Sequence, residues 1–84
     1  MTKEQLNSGD IVELKNKKAY FVLKFDSSIV LRNIDNNEDV INMGCNYDNF
    51  KNKIDKSKTI KKVFRISRNQ ELLTDFRSRE NRIY

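Results

Sequence analysis

The chain has 84 residues, 35% charged and 37% hydrophobic, with 17 basic and 12 acidic side chains, no histidine, no proline and one cysteine. That length accommodates one core and therefore a single domain, 1–84. The lack of histidine removes imidazole acid–base, nucleophile-activating and zinc chemistry, and the lone Cys45 excludes an internal disulfide.

After Leu6, the turn Asn7-Ser8-Gly9-Asp10 opens onto IVEL (Ile11–Leu14), and NKK separates it from AYFVLKF (Ala19–Phe25). DSS then leads to IVLRNI (Ile29–Ile34), and DNNE to DVINM (Asp39–Met43). Alternating apolar runs joined by short polar turns predict four antiparallel strands paired as successive hairpins. Gly44-Cys45 ends the meander; NYDNFKNKIDKS reads as an irregular crossover with room for one helical turn, and TIKKVFRI (Thr59–Ile66) as a fifth strand. Five short strands with a longer fourth connection predict a mainly β fold, a five-stranded SH3-like (small) barrel over about residues 6–66, with an OB-like barrel as the alternative.

The second run is apolar on both faces, Ala19, Phe21, Leu23 and Phe25 on one and Tyr20 and Val22 on the other, so an outer layer must cover it. In the tail, about 68–84, Leu72, Leu73, Phe76 and Ile83 fall near helical spacing. Glu71 and Asp75 lie toward its start, and Arg77, Arg79 and Arg82 toward its end. This distribution predicts a C-terminal α-helix packed on its own barrel or on a second subunit, and the surplus of apolar surface predicts a homo-oligomer.

No run approaches the length of a membrane span, and MTKEQLNSGD lacks the apolar centre of a signal peptide, so a soluble cytoplasmic protein without membrane contact is expected. Charge is distributed unevenly. Residues 1–50 carry six basic and eight acidic side chains, whereas residues 51–84 carry eleven and four. Between Lys51 and Arg68 eight cations face Asp55 alone, a region expected to attract polyanions or nucleotide phosphates. Lysine, asparagine and isoleucine supply 30 of the 84 residues, so AT-rich codon usage is the competing explanation. It accounts for the lysine content better than for its clustering.

The segments LNSGDIVELKNKKAYFVL, NYDNF and TIKKVFRI, spanning Leu6 to about Ile66, resemble small accessory proteins of phages and prophages of Gram-positive bacteria. The chain departs from their pattern in its Asn-Lys-Lys turn and its arginine-rich tail. The resemblance implies a phage-encoded protein with an SH3-like barrel that antagonises host defence inside the bacterial cell. Its partner would be a nucleotide signal, which it sequesters, or a host defence protein.

Binding a nucleotide requires apolar or aromatic walls beside phosphate-holding cations. Tyr47, Lys51, Lys53 and Arg65 are the expected ligand- and phosphate-binding residues, with Tyr20 and Phe50 as base-stacking candidates. Tyr47 and Phe50 also fit a core role. The alternative function is a small basic nucleic-acid-binding protein whose crossover tracks a backbone. No catalytic residue, metal ligand or cofactor is expected: Asp35, Glu38 and Asp39 read as turn chemistry, Cys45 as a small packed residue, and Lys61 and Lys62 as solubilising edge charges.

Overall fold

A computed structural model of the chain describes residues 1–66 and 76–84. The strands are β1 (Ile11–Leu14), β2 (Ala19–Lys24), β3 (Ile29–Asn33), β4 (Val40–Asn42), β5 (Tyr47–Asp48), β6 (Lys51–Asn52) and β7 (Ile60–Phe64). Five of them form one antiparallel sheet in the order β4-β3-β2-β1-β7, and β5 and β6 form a separate hairpin. Alternation sorts the apolar side chains onto two faces. Val12, Leu14, Tyr20, Val22, Leu31 and Val63 face the main core, joined there by Leu6, Ile41, Met43, Tyr47, Phe50 and Ile60. Ile11, Ala19 and Phe64 face outward beneath Phe76, with Phe21, Ile34 and Ile66 packed around them.

The Leu6-to-Asp10 segment is structural. Gly9 has φ 94°, which glycine adopts without a Cβ penalty. That turn lets the Asp10 carboxylate accept the Asn7 N–H at 2.8 Å and lets the Gly9 N–H donate to the Val22 carbonyl at 3.0 Å.

Between β1 and β7 the register shifts: Glu13 lies opposite Lys62 and Leu14 opposite Ile60, so Lys61 has no partner residue on β1. The extra residue lets Ile60 and Val63 both reach the main core while Lys62 and Phe64 share the outer face with Glu13 and Ile11. It also turns the Lys61 side chain away from the ladder, as β-bulges do.

Three expectations are corrected. The sheet is not closed into a barrel, because β4 and β7 are its edges and no ladder joins them among the described residues. The described part of the tail is not α-helical; after Phe76-Arg77 it forms a 3₁₀ turn (Arg79–Asn81) and an extended end. Leu72 and Leu73 lie outside the described residues.

The reason for the extended end is the open edge of β7, whose backbone groups need partners. Ile83 N–H donates to Val63 O at 2.9 Å, Val63 N–H to Tyr84 O at 3.1 Å and Arg65 N–H to Asn81 O at 2.7 Å. A helix has no free backbone groups along its length to supply these bonds. Phe76 still covers the outer face, meeting Phe64 edge-on at 5.6 Å, with the Arg77 guanidinium 4.4 Å from its own ring.

The third correction concerns the crossover. It contains the β5–β6 hairpin, turned at Asn49 with φ 55°, a conformation asparagine tolerates. Single 3₁₀ turns flank the hairpin at Gly44–Asn46 and Lys56–Lys58. Asp55 caps the second turn, accepting the Ser57 N–H at 3.0 Å.

Candidate anion-binding site

The six residues expected to bind a ligand do not come together. Tyr47 is 2% exposed, and its hydroxyl donates to the Lys58 carbonyl at 2.6 Å; burial pushes its phenol pKa up. Tyr20 is 1% exposed and donates to Asp39 Oδ2 at 2.5 Å. Burial, followed by that carboxylate, pushes the Tyr20 pKa up to about 12. Neither ring offers a face to a base, so the ligand role expected of Tyr47 and the stacking role expected of Tyr20 are replaced by core roles. Phe50, 4% exposed, is likewise a core side chain.

Arg65 is engaged by Asp10. Its Nε donates to Oδ1 at 3.0 Å and its Nη2 to Oδ2 at 2.9 Å, and Nη2 also reaches the Gln5 carbonyl at 3.1 Å. The hydrogen bond to Asp10 holds the guanidinium pKa above its ordinary value. Lys53 is exposed on the loop after β6, where its N–H donates to Asn46 O at 2.8 Å, and it is not among the residues that line the groove holding Lys51.

The acidic turn is also accounted for by local bonding. Asp39 accepts from Tyr20 and from Asn33 Nδ2 at 3.0 Å, and these two bonds hold its carboxyl pKa below the usual range. Asn33 and Asn36 side chains accept the Asp35 and Glu38 N–H groups at 2.8 and 3.0 Å. No group of three or more metal-ligating side chains occurs among the described residues.

What the fold does assemble is an open groove of about 420 Å³ between the β5–β6 hairpin, β7 and residues 81–84. Lys51 enters it from β6, Lys61 from the bulge in β7 and Arg82 from the extended end, with Asp48 as the opposing charge. Phe50 and Tyr84 form its aromatic wall, their ring centroids 4.7 Å apart at an interplanar angle of 71°. The Ile60 N–H donates to the Phe50 carbonyl at 2.9 Å, fixing the hairpin to β7.

Lys51 and Lys61 form no ion pair among the described residues, and Arg82 Nε donates to the Tyr84 carbonyl at 3.1 Å. By contrast Lys62 and Arg77 face Glu13 at 3.9 and 2.8 Å. Of the expected site residues, Lys51 and the buried Phe50 thus remain at a candidate site. Sequence reasoning missed Arg82 and Tyr84 and gave Lys61 only a solubilising role. The one local signal for Lys61 was its place next to Lys62 in a strand that cannot alternate without a slip.

The chain matches no protein-family model, no curated protein and no solved structure.

Proposed function

We propose that this chain is a non-catalytic binding protein that holds phosphate-bearing ligands, nucleotide or nucleic acid, in the groove of Lys51, Lys61 and Arg82. The observation that supports it is the convergence of three cations from three separate elements on one concave surface, where Asp48 is the one acidic side chain among the lining residues. Such a surface attracts phosphate through summed charge and charge-assisted hydrogen bonds. A four-strand meander whose closing strand returns beside the first supports an SH3-like reading of the sheet. The resemblance of Leu6 to Ile66 to phage accessory proteins supports antagonism of host defence as the setting.

The test is fluorescence anisotropy with a labelled oligothymidylate across a range of salt concentrations. Three phosphate contacts predict a slope of log K against log salt of about −2, falling toward about −0.7 in K51Q/K61Q. The control K24Q/R32Q removes the same charge from β2 and β3 and should keep the steeper slope. Equal losses in the two double variants would show that net charge alone attracts the probe, and the proposed site would be wrong.

A further inference from the structure

The groove joins its cations to an aromatic ring, and the two together specify more than an anion. Tyr84 is 43% exposed although it is anchored twice, by the T-shaped contact with Phe50 and by the backbone bond from Val63 N–H to its carbonyl. A ring held in this way loses little conformational freedom when it receives a ligand. It stands in the same groove as Lys51, Lys61 and Arg82.

We infer that the groove takes an unpaired nucleic-acid strand, one base stacking on Tyr84 while the neighbouring phosphates meet Lys51, Lys61 and Arg82. This rests on the anion-binding reading above and narrows its ligand class. A base within a duplex has both faces covered by its neighbours, so a side chain can stack on it only where the strand is unpaired. The site is an open groove, whereas pockets for small molecules enclose most of the ligand surface. A strand can pass through an open groove and place phosphates on both sides of the stacked base. The groove's uncharged polar side chains, Asn49 and Thr59, are already engaged, Asn49 by the Lys3 N–H and the Met1 carbonyl and Thr59 by the Asn52 N–H, so the groove should accept any sequence, with preferences set by stacking.

Anisotropy with four probes separates the possibilities: a labelled oligothymidylate, an abasic strand of the same length and charge, a duplex of the same length, and the oligothymidylate challenged with thymidine monophosphate. The expected result is that oligothymidylate binds about fivefold to hundredfold tighter than the abasic strand, the range of one base stack. The Y84L variant should bring oligothymidylate down to the abasic level, leave abasic binding unchanged, and be rescued by Y84F.

Equal binding of the two strands with no effect of Y84L would overturn the stacking inference while leaving phosphate capture intact. Duplex binding as tight as single-strand binding would overturn it as well, as would displacement of the strand by stoichiometric monophosphate. If none of the probes binds, both the inference and the anion-binding reading fall.

Discussion

Arg65 distinguishes a cation that holds the fold from one that holds a ligand. Its partner Asp10 is 3% exposed and also accepts the Asn7 N–H, whereas the Arg65 side chain is 42% exposed. Removing the two members of this pair should therefore have unequal effects. Arg65→Met leaves a buried carboxylate with one backbone donor, a change that costs about 3–5 kcal/mol in fully buried pairs. The half-exposed guanidinium places it near the lower end, about 3 kcal/mol.

Asp10→Ala instead frees an arginine that water can reach. It loses charge-assisted bonds and the turn contact at Asn7, for about 2 kcal/mol. In a domain of this size those values correspond to decreases in Tm of roughly 12–24 °C and 8–16 °C. Urea unfolding followed by far-UV circular dichroism, with thermal melts alongside, measures both. A cost below about 1 kcal/mol for Arg65→Met, or one smaller than that of Asp10→Ala, would refute the reasoning. Loss of oligothymidylate affinity in a fully stable Arg65→Met variant would return this residue to the ligand site.

Tyr47→Phe removes the donor to the Lys58 carbonyl and should cost about 1–2 kcal/mol in urea unfolding, with oligothymidylate affinity unchanged. Phe76→Ala uncovers the outer face at Phe64 and Ile11 and should cost about 3 kcal/mol, read as a lower urea midpoint. Asp39 has a depressed carboxyl pKa, so its contribution is present above the unfolded value near 4 and is lost as pH falls through the folded value. Asp39→Asn should flatten the acid limb of the stability profile, and an unchanged limb would remove the carboxylate from that role. Tyr20 has the opposite sign: its contribution is present below pH 10 and is lost as pH rises through about 12, so Tyr20→Phe should flatten the alkaline limb.

The strands were legible because each is long enough to display its period. Ile11–Leu14 has the expected bounds, and Ala19–Lys24 ends one residue before the expected Phe25. The demand for an outer layer over β2 was also legible, since Ala19 and Phe21 alternate with Tyr20 and Val22, and Phe76 is part of that layer. β5 and β6 were not, because strands of two residues have no period; only Asn49 at the turn hinted at a hairpin.

The same alternation explains why the expected site dispersed. Tyr47, Phe50 and Asn52 turn inward while Asp48 and Lys51 turn outward, so rings and cations adjacent in sequence part company in space. The tail misled for a different reason. Apolar spacing over a few residues suits a helix locally, but the backbone needs of the β7 edge, which decide residues 81–84, arise from tertiary structure. Arg82 and Tyr84 come to line the same groove as Lys51 only through that pairing, a relationship no local pattern encodes.

The most direct measurement of the proposed function is a ¹⁵N–¹H chemical-shift titration of the protein with oligothymidylate at near-physiological salt. The predicted result is a saturable set of shifts concentrated on Asp48, Lys51, Lys61, Arg82 and Tyr84, with the amides around Asp39 and Phe25 unmoved. Shifts centred on the Asp39 or Phe25 surfaces, or none at all, would contradict the assignment of the groove as the binding face.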